Sequence, residues 1–469
     1  MGRSAPVALL LAFYLCSIQV YAEDEPQSIS SEGLASEHGL PSLDGSAAEL
    51  PLSSAAPGVL TLNNAVSRAV NWHPAIREAI GKLQSQNSQI DVAKSKYYPQ
   101  VTAGMNNGYS NTYTDHGYSP SLVLSLSQML YDFGKVSSQV KAETAGAAQE
   151  QANVLVSIDT VARDTAVAMV QVQTWQEMVE AASAQLNALD GIGKLTQQRN
   201  DEGASSLSDV VQTNARIESA RSQLVQYQAS LDSAQATLMT MLGWNSLNGI
   251  SPEFPPKLEQ SCMVAKPDDR LVPAVLAAWA QANAAQANLE FANAQMTPTI
   301  SLEPSVQHYL NDKYPSHEVL DKTQYSTFLK VEMPIYQGGG LTARRDAASH
   351  AVESAQSTIQ RTRLDVRQKL LQARSQSMNL ATSLQILRRQ QQLSERTREL
   401  YQQQYLDLGS RPLLDVLNAE QEVYQARFTE LSTQSQLHQL QLDCLYNTGT
   451  LRQAFGLNNR SIQSVEIQP

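Results

Sequence analysis

Cysteine is scarce in this chain, with three among 469 residues, so a disulfide-stapled scaffold is excluded. Aromatic residues make up only 6%, and the bulk of the apolar content is Ala and Leu mixed with Gln and Ser. That composition suits long helices with small contact residues better than a thick globular core. Clustered basic residues are missing and the net charge is −11, which argues against a nucleic-acid partner, because phosphate binding needs grouped Lys and Arg. Seven histidines show no HExxH pattern or other zinc spacing. The nearest thing to a phosphate loop, DGIGKL at Asp190 to Leu195, lacks the Walker spacing and follows no strand. No catalytic, cofactor or metal constellation is legible, and the expectation is a protein that is not an enzyme. After the first 22 residues no run of about 20 apolar residues offers a transmembrane helix.

What is present begins with an export signal. Residues 1–22 carry a basic Arg3, the apolar run ALLLAFYLCSIQV, and a small-x-small end at Val20-Tyr21-Ala22. The run reads as a signal peptide cut before Glu23. Cys16 lies inside it without the small-residue context of a lipidation site, so a mature chain without lipid is expected. Residues 23–58 are rich in Ser, Pro, Gly and acid and read as a flexible acidic segment. Cys262 and Cys444 then remain, either as a disulfide in an oxidising compartment or as two inert thiols.

The strongest internal signal is a duplication. Glu202 to Arg221 (EGASSLSDVVQTNARIESAR) and Leu408 to Arg427 (LGSRPLLDVLNAEQEVYQAR) share Gly, then Asp-Val, then Ala-Arg at the same spacings, 206 residues apart. Pro99 and Pro298, and Tyr131 (LYDFGK) and Tyr336 (IYQGGG), recur at offsets of 199 and 205. One unit has been duplicated and fused. The organisation read from this is a first repeat at 59–243, a linker at 244–270, a second repeat at 271–451 and an unassigned tail at 452–469.

Each repeat holds one very long helical segment. From Val154 through Ile158, Val161 and Thr165 to Leu186 and Leu189, apolar and small residues alternate four and three apart without a break. That is a heptad seam. A weaker one runs from Ile359 through Leu370 and Ala373 to Leu387. Segments of about Lys135 to Asn200 and Leu341 to Leu408 would each be roughly 100 Å long at the α-helical rise. A shorter helix follows each, with Val210, Ile217, Leu224, Leu231 and Leu238 every seven residues in the first. Another precedes the strands, around Leu60 to Lys96, and two short helices end to end would match one long one.

Between the helices the period changes to two. Ser121–Ser127, Thr299–Val306 and Tyr325–Met333 alternate, and a Gly- and Asn-rich stretch after Pro99 does so less clearly. Segments of about ten residues suit an outer membrane, apolar side toward lipid and polar side toward a lumen. Lys330, Glu332 and Glu303 fall on the polar side. Four strands cannot close a membrane barrel, since about eight is the smallest known, and open edges in lipid are costly. If they span, several chains share one barrel. The competing reading is two surface hairpins on an exported coiled-coil fibre without a pore.

Taken together, the duplication, the helix-strand-strand-helix order, MPIYQGGG at Met333 to Gly340 and GSRPLLDVLNA at Gly409 to Ala419 resemble the TolC family of outer-membrane channels, from about Leu60 to Leu451. The resemblance implies an α+β membrane protein: a homotrimer in which four transmembrane β-strands per chain complete a 12-stranded barrel above a long periplasmic α-helical coiled-coil tunnel. It implies outer-membrane lipid, a periplasmic adaptor (membrane fusion) protein and an inner-membrane ABC or RND transporter as partners. It also implies a gate at the periplasmic tip, where Gly203 and Gly409 turn each long helix into its short partner. By the same resemblance Arg411 bonds the first-half turn of a neighbour, with Asp209 as acceptor, and Asp415 lines the narrowest ring. Three Asp415 side chains on an axis attract and are blocked by cations. Where the family commonly shows a second Asp this chain has Asn418, so the ring is expected to be less negative. The family's gating Tyr position holds Leu406 here, with Tyr405 one residue early. The competing reading of the cluster is ordinary helix capping by Ser208 or Asp209, with Arg411 a solvated charge. Within the family, length and the unlipidated start resemble the branch that exports large adhesins by type I secretion; the alternative is the channel of a multidrug efflux pump.

Overall fold

The computed structural model describes residues 58–110, 117–264, 268–310, 321–407 and 409–467. The expected signal peptide, nearly all of the acidic segment and most of the polar loop after Leu310 lie outside them.

The first repeat begins with α1 (Leu62–Trp72) and α2 (Pro74–Ser95). The sequence reading expected one helix here. It breaks at His73, because Pro74 has no N–H to continue the ladder and instead starts a new helix, while the His73 Nδ1 accepts from the Ala75 amide. Strand β1 (Gln100–Asn106), a small hairpin β2 (Tyr109–Ser110) and β3 (Gly117–Tyr118), and β4 (Ser121–Tyr131) follow. Helix α3 (Lys135–Asp201) runs 67 residues, about 100 Å, and α4 (Leu207–Leu242) returns along it. The second repeat has the same plan. After two short helices, α5 (Pro256–Glu259) and α6 (Ser261–Val264), come α7 (Pro273–Ala294), β5 (Thr299–Tyr309), β6 (Thr323–Glu332), α8 (Gly340–Leu406, again 67 residues) and α9 (Leu413–Asn447).

The predicted seam of α3 is where the core lies. Val154, Ile158, Val161, Ala168 and Val172 are buried with Leu231 and Leu238 of α4 and the face of α1, Thr165 is buried too, and Ala182 and Leu189 are buried in separate clusters nearer the tip. The two short helices of the first repeat meet end to end beside α3. Arg68 of α1 donates to the Leu242 carbonyl that ends α4 (3.2 Å).

The tail, which the sequence left unassigned, closes this core. A short helix α10 (Leu451–Ala454) and a hairpin of β7 (Arg460–Ile462) and β8 (Val465–Ile467) bury Leu451, Leu457, Ile462 and Ile467. Arg452 meets Asp159 of α3 at 2.5 Å inside the protein, and Gln463 donates to the Val70 and His73 carbonyls. Of the two states open to Cys262 and Cys444, the structure has the disulfide, which ties α6 to α9 against Leu370 and Ala373 of α8.

Candidate functional site: an amphipathic sheet and a helical tip

Four strands form one antiparallel sheet in the order β1-β4-β5-β6, so two hairpins from the two repeats are joined edge to edge. Side-chain alternation and register give it two chemically distinct faces. One carries Val101, Ala103 and Met105 on β1, Leu122, Leu124 and Leu126 on β4, Ile300, Leu302 and Val306 on β5, and Tyr325, Leu329 and Val331 on β6. Leu122, Leu124, Leu329 and Val331 on it are exposed, although large apolar side chains avoid water. The other face carries Thr102, Ser121, Ser125, Ser301, Glu303, Ser305, Gln307, Gln324, Ser326, Lys330 and Glu332. On it Lys330 bridges Glu332 (2.9 Å) and Glu303 (3.7 Å), and Ser305 bonds Ser326 (2.7 Å). Strands β4, β5 and β6 of ten or eleven residues, tilted as in membrane barrels, span about 25 Å of hydrocarbon.

Exposed aromatics stand at both ends of the sheet, a feature the sequence reading did not single out. Tyr98, Tyr131, Phe133 and Tyr336 lie at the helical end, with Tyr131 and Phe133 edge to face at 4.6 Å, and Tyr109 and Tyr118 lie at the other. Such belts sit at the two water–lipid interfaces of a membrane barrel. The signal was in the sequence: Tyr131 and Tyr336 were noticed only as repeat landmarks.

At the far end of the long helices the duplicated turns come together. Gly203 (φ +75°) and Gly409 (φ +60°) both take the left-handed conformation that reverses the chain. Beyond them the two turns diverge. In the first, Ser206 caps α4: its hydroxyl accepts from the Asp209 amide (3.2 Å) while the Asp209 carboxylate accepts from the Ser206 amide (3.1 Å). The Ser205 hydroxyl also donates to Asp209 (2.9 Å), and these bonds hold the Asp209 carboxyl below the usual carboxylate range, Ser205 contributing most. In the second turn Pro412 replaces the capping serine and Arg411 replaces Ser205. Asp415 then pairs with Arg411 (3.0 Å), whose Nε donates to Gln404 (3.0 Å) and whose guanidinium lies 4.2 Å over the Tyr401 ring.

Within one chain, therefore, Arg411 does not meet Asp209. Each finds a closer partner in its own turn, four residues away along the first helical turn. Tyr405 is buried, and the Arg199 guanidinium at the end of α3 lies 4.8 Å over its ring. It thus joins the two tips, beside Leu189, Ile192, Ile217, Leu413, Val416 and Leu417. Asn418 accepts from Arg216 of α4 (3.3 Å), which also bonds Gln421. Arg199 and Arg216 were missed in the sequence, where an arginine on a helical face reads as solvated charge.

A sheet with one apolar and one polar face, belted by aromatics and carried on helices of about 100 Å, defines a membrane-embedded barrel segment joined to a helical tunnel wall. The comparisons agree. The family model described as "Outer membrane efflux protein" matches residues 65–244 and 271–446, and the chain belongs to that family, the TolC family of outer-membrane channels. The match falls in two stretches, one in each half of the chain, as a duplicated chain would give. The chain is 23% identical to the outer membrane efflux protein BepC of Brucella suis over 378 residues, 77% of this chain and 79% of the relative. It is 23% identical to the outer membrane protein TolC of Salmonella enteritidis, over 81% of this chain and 80% of that one. The crystal structure of the outer membrane protein VceC of Vibrio cholerae matches with a TM-score of 0.72 at 19% identity, covering 83% of this chain and 96% of that chain. The protein is a non-enzymatic channel of the outer membrane whose helical part extends into the periplasm.

Proposed function

We propose that three copies of the chain form one gated export channel, closed at the periplasmic tip by the duplicated turns. The observation that carries this is the open sheet: β1 and β6 are its edges, each with one strand neighbour, and a lipid-facing sheet cannot leave such edges unpaired. Pairing β6 of one copy with β1 of the next closes a barrel of twelve strands. The helices follow the same order, because α2 leads into edge strand β1 and α8 leaves edge strand β6. Closure therefore sets α8 against the α2 and α4 stack of the next copy.

Helix α8 is built for such a neighbour. Leu364, Leu371, Met378, Ile386, Leu393 and Leu400 recur every seven or eight residues and are exposed along its length. The helix carries eleven Lys and Arg against five Asp and Glu, whereas α2 and α4 together carry five of each. An exposed apolar stripe of this length suits packing on the helices of a second copy.

At the tip, three Asp415 carboxylates near the axis would form the constriction, set by Arg411, with Asn418 less charged beside it. The Arg411 guanidinium and Asp209 of a neighbouring copy supply a further bond across the closed gate. Gly203 and Gly409 allow the reversals, and Tyr405 ties the two tips of one copy together. A periplasmic adaptor and an inner-membrane ABC or RND transporter would open and load the tunnel. Of the two export readings, type I secretion of an adhesin is taken first and drug efflux second.

Planar-bilayer conductance with a mass estimate on the same detergent sample tests the channel: trimers with small cation-selective steps support it, and a monomer without channel events overturns it. Leu371→Asp with Leu393→Asp should dissociate the trimer; intact trimers would remove α8 from the interface. Deletion of the protein separates the two export readings. Loss of surface adhesin supports secretion, and unchanged adhesin with raised drug sensitivity supports efflux.

A further inference from the structure

The two helical pairs are held together by different means. Among the described residues no ion pair joins α3 to α4, and their seam is closed by Ile192, Ile217 and Ala220. The pair α8 and α9 is joined by two rungs instead. Arg388 of α8 bonds Glu430 of α9 (3.2 Å), which Arg427 also holds (3.0 Å). Ten residues nearer the tip on both helices, Arg398 stands 3.6 Å from Glu420, and Gln402 donates to the other carboxylate oxygen (3.3 Å). Both glutamates are buried.

The lower rung is incomplete. Glu420 is fully buried, yet its Oε1 and the Nε of Arg398 have no hydrogen-bond partner. A buried carboxylate satisfied on one side is expensive to keep, and nothing in packing α8 on α9 requires a charge there. Apolar contacts tolerate sliding of one helix along another. A buried charged pair is directional and is best attested as a device that fixes register. Its place is telling: Glu420 lies five residues beyond Asp415 on α9, and Gln402 adjoins Tyr401, the ring beneath Arg411.

We propose that Glu420 is a positioning residue of the gate: with Arg398 and Gln402 it fixes the axial register of α9 on α8, and so the depth at which Arg411 and Asp415 stand. This rests on the reading of the tip as the gate. Burial raises the Glu420 carboxyl above the usual carboxylate range against the pull of Arg398, so it takes up a proton before exposed carboxylates do. Arg398 pairs with it and Tyr424 feels its charge, and these two line a cavity of about 300 Å³ together with Glu395 of α8, Arg427 of α9 and Glu177 and Glu180 of α3. Glu177 is also raised by burial and is the control.

The test pairs two measurements on the purified full-length protein, amide hydrogen exchange and planar-bilayer conductance, both at pH 7. In Glu420→Gln, exchange across residues 399–424 should quicken roughly tenfold while the α3–α4 turn stays protected. Its conductance should be raised above that of wild type, and Glu177→Gln should behave as wild type. Unchanged exchange at the second tip overturns the proposal. Faster exchange with unchanged conductance overturns it too, leaving Glu420 a purely structural residue. Should Glu420→Gln fail to assemble, Arg398→Gln, on the more exposed partner, must show the same two effects or the proposal falls. Wild type without channel events sinks the gate reading itself, whereas exchange still decides whether Glu420 orders the tip.

Discussion

Arg411 holds Asp415 at 3.0 Å, at the same two positions where Ser205 holds Asp209 at 2.9 Å in the other repeat. The two repeats share the carboxylate and the spacing and differ in what holds it, a neutral hydroxyl in one and a cation in the other. One turn became a well-capped helix start and the other a charge pair. Removing Arg411 should therefore do more than loosen the turn. Arg411→Ala is expected to raise single-channel conductance and to strengthen cation preference, since Asp415 loses its counter-charge. Asp415→Ala should weaken both cation preference and block by multivalent cations. Reversal potentials in asymmetric salt measure this, and a selectivity unmoved in both variants would take Asp415 off the conduction path.

Tyr405 and Arg199 join the tips of the two repeats within one chain. Tyr405→Ala removes a buried ring and should cost about 3 kcal/mol or more of local stability. Arg199→Ala, which leaves the ring in place, should cost about 1 kcal/mol for the lost cation–π contact. Conductance should rise in both, more in Tyr405→Ala. Equal conductance in wild type and Tyr405→Ala would mean that the tips are held by other contacts.

The Cys262–Cys444 bond closes a long loop, 182 residues apart in sequence, and pins the linker to α9. Cys262→Ser with Cys444→Ser should lower stability by about 2–5 kcal/mol and leave conductance unchanged, because the bond lies far from the tip. Thermal melting with and without reductant checks this. A reductant effect that persists in the double variant would point to another cause.

Asp159 supplies a pH signature. Burial pushes its carboxyl up to about 7 despite the Arg452 guanidinium at 2.5 Å. A folded-state value above the unfolded one means that the folded protein binds the proton more tightly. This contribution to stability is full below about pH 4 and is lost as pH rises through about 7. In Asp159→Asn the melting temperature should depend less on pH across that window. An unchanged slope would show that the pair stays ionised throughout.

The seam of α3 was legible residue by residue, because burial on one side of a long helix imprints a heptad directly on the sequence. So were the period-two strands, the repeat and the turn glycines. The break at His73 was overlooked although Pro74 announced it. The tail could not be read, because its few apolar residues are too short a run to show a period and are buried in a core shared with residues distant in sequence, such as Leu62 and Ile158. At the tip, sequence supplied the right residues but not their partners.

The sequence by itself determined the duplicated plan, the long helices and the alternation of the strands, all of which follow from local periodicity. Only the tertiary structure decided that the two hairpins join at β4 and β5 into one sheet, that two distant cysteines bond, that Arg411 turns to Asp415, and that Glu420 is buried against Arg398. The reason is physical: periodicity reports which face of an element is buried, whereas pairing depends on which surfaces meet, and that is fixed only when distant elements pack.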